Sequence, residues 1–139
     1  MEFSSDVTII GAGLNGLTLS LALERVGFKV TIIDSGDLKK NIIERNFDGR
    51  AYALAKASQN LFEALGLWSA LSSNSQPIFD VRVTDGDKKA GPSNFHMHFN
   101  HKELGDDPLG YTIEDRHLKE TLISRVYDAK NITILSETV

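Results

Sequence analysis

Apolar positions fall first in a short unbroken run, Val7 to Ile10, and then in a longer stretch, Leu14 to Val26, whose leucines cover nearly every face of a helix. Such uninterrupted apolar character predicts elements buried on more than one side. Gly27 stands where a helix C-cap is expected, and Phe28 to Ile33 is a second β-branched run that ends at Asp34. The first 34 residues therefore read as β-α-β. From Ser35 to Gly49 the chain is polar, with Gly36, Lys39, Lys40 and Asn41 breaking any period, so a loop is predicted. A helix resumes near Leu54 with Leu61, Phe62 and Leu65 as its apolar stripe and Gly66 as its end, and Leu67 to Leu71 adds a further turn.

Pro77 marks a change of structure. Ile78 to Thr84 and Phe95 to Phe99 alternate as strands do, and Asp85-Gly86 between them is a hairpin signal, so an antiparallel arrangement is expected. Leu104 to Gly110 reads as loop and Tyr111 to Ile113 as a short strand. Asp115 then caps a helix that runs to Tyr127 through Leu118, Leu122 and Val126, and Ile132 to Leu135 is the last strand.

The 139 residues are 41% hydrophobic and 24% charged, the composition of one globular domain or of a large piece of a bigger one. A formal charge of -4, with Lys and Arg scattered, argues against a nucleic-acid partner, because phosphate neutralisation needs a basic face. The absence of cysteine excludes disulfides, thiolate metal sites and a thiol nucleophile together. The opening MEFSSD lacks the features of a signal peptide, and Asn15, Gly16, Thr18 and Ser20 interrupt the one stretch that approaches a membrane span. The expected location is the cytoplasm, with peripheral contact at the inner face of the cell membrane left open.

Gly11, Gly13 and Gly16 fit G-x-G-x-x-G, a weak string alone that gains weight from its place between a strand and a helix. The first glycine permits the tight turn, the second lets a pyrophosphate approach the backbone, and the third lets helix and strand pack closely. Leu14 and Asn15 open the helix, whose N-terminus supplies N–H donors and a positive dipole. Asp34, 18 residues beyond Gly16, is placed to accept hydrogen bonds from both hydroxyls of an adenosine ribose and would repel a 2′-phosphate. NAD and FAD share that ADP half. In a plain NAD domain the third parallel strand follows after one crossover helix, whereas here it comes nearly a hundred residues after Asp34, an excursion that suits a flavoprotein with an inserted substrate-facing sheet.

Three blocks, DVTIIGAGLNGLTLSLAL with TIID, DGRAYALAKASQNLFEALGLW, and LGYTIEDRHLKETL, make the chain resemble the FAD-dependent aromatic hydroxylases of ubiquinone biosynthesis, within the para-hydroxybenzoate hydroxylase-like monooxygenases. The first block is shared by many flavoproteins; the order of the second and third is more specific. The resemblance implies an α/β, Rossmann-like FAD-binding βαβ fold, incomplete here, with an inserted helix and antiparallel strands of a substrate-side sheet. Residues 1–75 and 108–139 would lie mainly on the cofactor side and 76–107 on the substrate side. It further implies hydroxylation of a small aromatic substrate, a polyprenylated phenol, with NAD(P)H as transient reductant and oxygen. Gly11, Gly13, Leu14, Asn15, Gly16 and Asp34 would bind the ADP half of FAD, while Arg50 and Arg116 would approach the pyrophosphate or ribityl region, as planar guanidinium groups suit oxyanions. Family members are about three times longer, and their later flavin-binding blocks are absent from these residues, so no residue present is assigned the chemical step. Without the resemblance, Arg50 reads as a solvated loop arginine and Arg116 as a helix residue paired with Glu120. A non-catalytic dinucleotide-binding fragment and, further off, an NAD-dependent oxidoreductase are the alternatives.

His96, His98 and His101 raise a metal reading, but without cysteine a four-ligand structural site is hard to complete, and alternation with Phe95, Met97 and Phe99 is explained by a strand with one polar face. No metal is expected. Asp106-Asp107-Pro108 reads as a turn, and Trp68 as a packing aromatic. An incomplete fold would expose apolar surface and strand edges, so self-association is expected.

Overall fold

The computed structural model describes residues 4–38, 40, 48–87, 89 and 91–137. β1 (Val7–Ile10), α1 (Leu14–Arg25) and β2 (Val30–Ile33) form the β-α-β unit at the expected positions. β2 pairs in parallel with β1 on one side and with β8 (Ile132–Leu135) on the other, Val30 standing opposite both Val7 and Ile132. The third parallel strand is therefore the one that arrives nearly a hundred residues later. As the central strand, β2 is buried at Val30, Thr31 and Ile32, which explains its unbroken β-branched character. Gly27 ends α1 by donating its N–H to the Glu24 carbonyl at 2.9 Å.

The expectation that β1 and α1 are buried all round is corrected. Leu17, Ser20 and Leu21 turn inward, whereas Leu19 is half exposed and Ile10 is 87% exposed. The described residues cover one flank of α1, where α4 (Asp115–Asp128) packs, and leave the other flank open. Leu118, Leu122, Ile123 and Val126 of α4 close the core against Leu17, Leu21 and Ile32.

A second sheet has the order β3 (Ala51–Ala55), β7 (Gly110–Glu114), β4 (Ser75–Ile78), all antiparallel. It corrects the reading around Leu54, which lies in a strand, β3 (Ala51–Ala55), with the helix α2 (Lys56–Ala64) starting after it. The alanines of AYALA carry little β signal, and the strand exists because β7 (Gly110–Glu114) supplies its ladder, Ala51 facing Glu114. After α3 (Trp68–Ser72), β4 (Ser75–Ile78) occupies the edge of that sheet. Pro77 therefore sits within a strand, where an edge position tolerates its missing donor. Trp68 packs edge-on against Tyr111 with ring centroids 4.7 Å apart, the packing role expected of it.

β5 (Asp80–Asp87) and β6 (Gly91–Asn100) form an antiparallel hairpin. Asp85-Gly86 is an irregularity within β5, not the turn, since pairing resumes at Gly86 opposite Pro92 and Asp87 opposite Gly91. All residues from Phe79 to Gly86 and from Phe95 to Phe99 are exposed. On the polar face His98 shares a 2.7 Å hydrogen bond with Asp80, and after the strand His101 packs at a tilt against Phe79. The opposite face presents Val81, Val83, Phe95, Met97 and Phe99 uncovered, Phe95 being 88% exposed. The loop expected over Ser35 to Gly49 lies partly outside the described residues; Leu38, within it, is buried in the core.

Candidate functional site

The turn after β1 is held at both ends. Gly11, with φ at +102°, donates its N–H to the Ile33 carbonyl at 2.8 Å, a conformation that suits a residue without Cβ. Gly16, one turn into α1, lies so near the turn that a Cβ would stand 2.0 Å from the Gly11 carbonyl oxygen. Gly13 differs in kind. It is the N-cap of α1 in extended backbone, and a Cβ there would meet nothing within 4 Å. Gly16 thus serves packing, while Gly13 keeps open a cradle that a Cβ would fill.

A cavity of about 520 Å³ lies over this cradle. Gly11, Gly13, Leu14, Asn15 and Gly16 line one side, beside the exposed Ile10; Arg50 and Tyr52, around the start of β3, and Asp115 and Lys119, one turn apart on α4, line the other. Six of the eight residues expected at the cofactor thus meet at one cavity. Open N–H donors and dipole at the N-terminus of α1, a guanidinium and an ammonium form a donor set that fits a diphosphate.

Asp34 and Arg116 are not on this lining. Asp34, at the end of β2, accepts from the Ala12 N–H at 2.6 Å and from the Gly36 N–H at 2.7 Å, and so ties the glycine turn to the end of β2. A carboxylate offers about four lone-pair positions, so two remain for ribose hydroxyls. Arg116 turns the other way, its Nε donating to Glu114 at 2.5 Å, because it lies about 100° around the helix from the face shared by Asp115 and Lys119.

Tyr52, Asp115 and Lys119 were missed by sequence reasoning, although two signals pointed to them. Arg50 and Tyr52 are two apart at a strand start, hence on one face, and Asp115 and Lys119 are an i,i+4 acid-base pair. Asp115 was expected as a helix cap. Glu114 is the N-cap instead, and the Asp115 carboxylate, 5% exposed, accepts from Tyr52 Oη at 3.0 Å and pairs with Lys119 Nζ at 2.8 Å and Arg50 Nη2 at 3.5 Å. That hydrogen bond holds the Tyr52 phenol above its ordinary value. Arg50 is also paired with Asp48, which lowers the Asp48 carboxyl and raises the guanidinium.

The chain is 37% identical over 132 residues to ubiquinone hydroxylase UbiL of Rhodospirillum rubrum, covering 95% of this chain and 29% of that protein. It is 30% identical over 145 residues to ubiquinone hydroxylase UbiM of Neisseria meningitidis, covering all of this chain and 30% of the relative. The chain thus spans about a third or less of these curated relatives. Among solved structures, p-nitrophenol 4-monooxygenase PnpA of Pseudomonas putida shares the fold with a TM-score of 0.70 at 16% identity, over 99% of this chain and 33% of that one. Residues 4–104 match the FAD binding domain family. With the strand, glycine turn, helix and cation-lined cavity in place, the chain belongs to the FAD binding domain family and has FAD as its cofactor.

Proposed function

We propose that this chain is the FAD-binding part of a flavin-dependent monooxygenase that hydroxylates a polyprenylated phenol in ubiquinone biosynthesis, using NAD(P)H and O2. The single observation that carries the cofactor half is the open space at Gly13 facing Arg50 across one cavity. The substrate half rests on the similarity to ubiquinone hydroxylases over nearly the whole chain. FAD would supply the redox chemistry, and the residues of this chain would bind and orient it. Gly11, Gly13, Leu14, Asn15 and Gly16 would receive the pyrophosphate with Arg50, and Asp34 the adenosine ribose. Arg116, whose Nε donates to Glu114 at 2.5 Å, would approach the pyrophosphate or ribityl region. Titration of the chain with FAD and with NAD is expected to show saturable FAD binding, weakened about tenfold by Arg50→Ala through loss of a charge-assisted hydrogen bond. Preference for NAD would overturn the reading.

The uncovered face of β5 and β6 supports self-association of the chain and, in a longer protein, peripheral contact with a membrane. No helix among the described residues is long and apolar enough to cross one. Sedimentation at micromolar concentration is expected to show dimers or larger species that Phe95→Lys reduces; a clean monomer would remove this part of the proposal.

A further inference from the structure

We propose that Arg50 is shared between a permanent and a displaceable carboxylate: Asp115 positions the guanidinium at the glycine turn, and Asp48 occupies the place on it that the ligand's diphosphate takes. The proposal deepens the cofactor reading above and rests on it for the identity of the ligand.

The two carboxylates hold Arg50 in different ways. Asp115 is buried and fixed from several sides by Tyr52 Oη, Lys119 Nζ and its place in the first turn of α4, where the helix dipole favours a negative charge. Its backbone N–H also donates to the Arg50 carbonyl at 3.1 Å, so main chain and side chain tie the two residues together. Removing that charge would leave two cations and a phenol around a buried, unmatched position, which is costly where water does not compensate.

Asp48 is not buried, and its ties, main chain and side chain alike, are to Arg50 itself. Its side chain is 44% exposed, it stands two residues before Arg50, and it takes Arg50 Nε at 2.7 Å together with Nη2. The Arg50 backbone N–H closes the small loop by donating to Asp48 Oδ1 at 3.0 Å. An exposed pair of this kind contributes little net free energy, because solvent screens it. A diphosphate brings more charge and two acceptor oxygens in the geometry that a guanidinium fork matches. Asp48 therefore yields and Asp115 stays, which keeps Arg50 aimed at the cradle both before and after binding. Lys119, held by the same Asp115 oxygen as Arg50, is the second cation that this carboxylate sets in place.

Two isosteric variants should then act with opposite signs. Affinity for inorganic pyrophosphate, ADP and FAD would be measured by calorimetry for the wild-type chain, Asp48→Asn, Asp115→Asn, Arg50→Gln and the double variant Asp48→Asn/Arg50→Gln, with urea unfolding of each. Asp48→Asn is expected to tighten binding about threefold, the scale of an exposed ion pair. Asp115→Asn is expected to weaken it about tenfold, with Asp115→Glu recovering part of the loss. In the Arg50→Gln background, Asp48→Asn should no longer tighten binding beyond the small gain from deleting one negative charge. Should Asp115→Asn fail to fold, the Asp48 and Arg50 variants decide alone. Weaker or unchanged binding by Asp48→Asn, or full tightening without Arg50, overturns the proposal. If FAD fails to bind while pyrophosphate binds with the opposite signs intact, the cofactor reading falls and this one stands. Binding of neither ligand overturns both.

Discussion

Gly16→Ala is expected to destabilise the chain by about 3 kcal/mol, at the upper end of what overpacking usually costs. Two effects compete. Alanine is the better helix former by about 1 kcal/mol, and Gly16 lies within α1, so propensity alone predicts a gain. Against that, the new Cβ would stand 2.0 Å from the Gly11 carbonyl oxygen and 3.2 Å from its carbon, a contact with backbone that no side-chain rotation relieves. Either α1 lifts from the end of β1 or the glycine turn opens, and both disturb the packing of Leu17 and Leu21. Urea denaturation of the purified variant measures the sign directly. A stability equal to or above wild type would show that the turn yields at little cost and that Gly16 has no packing role.

Gly13→Val should do the reverse, leaving the fold nearly intact and removing FAD binding. The backbone at Gly13, φ -71° and ψ 178°, is one that valine adopts readily, and a Cβ there meets nothing within 4 Å. The cost in stability is that of a poorer N-cap, about 1 kcal/mol. The space the side chain fills is the space through which a pyrophosphate would reach the N-terminus of α1, so affinity for FAD is expected to fall by about a hundredfold or more, ~3 kcal/mol of lost phosphate contacts. Flavin fluorescence titration beside a urea melt separates the two quantities. Unchanged affinity would mean that the diphosphate lies elsewhere, and an unfolded variant would mean that the glycine is structural. The Gly13 and Gly16 variants together test a division of labour between two glycines that one motif treats alike.

Much of this molecule was legible in local pattern. β1, α1 and β2, the cap at Gly27, the helix from Asp115 and the strand from Ile132 follow from apolar runs, caps and β-branching, which act within a few residues of themselves. The delayed third parallel strand was legible from its own apolar run, Ile132 to Leu135, after intervening segments that read as helix and antiparallel strands. The glycine half of the site was legible for the same reason, since Gly11, Gly13 and Gly16 work through backbone freedom and steric room, properties of the residue type itself.

The other half was settled by long-range pairing. β3 is a strand because β7 comes back to it from some sixty residues away, and this ladder carries Arg50 and Tyr52 to the face where Asp115 and Lys119 stand. No periodicity over AYALA contains that information. Helix phase at Asp115 decided which arginine meets the cavity, sending Arg116 to Glu114 and leaving Arg50 opposite the turn. The chain's own residues thus determined a β-α-β unit able to receive a dinucleotide. Which charges face that unit depended on the tertiary structure, because side chains distant in sequence share a site only once strand register and helix rotation bring them together.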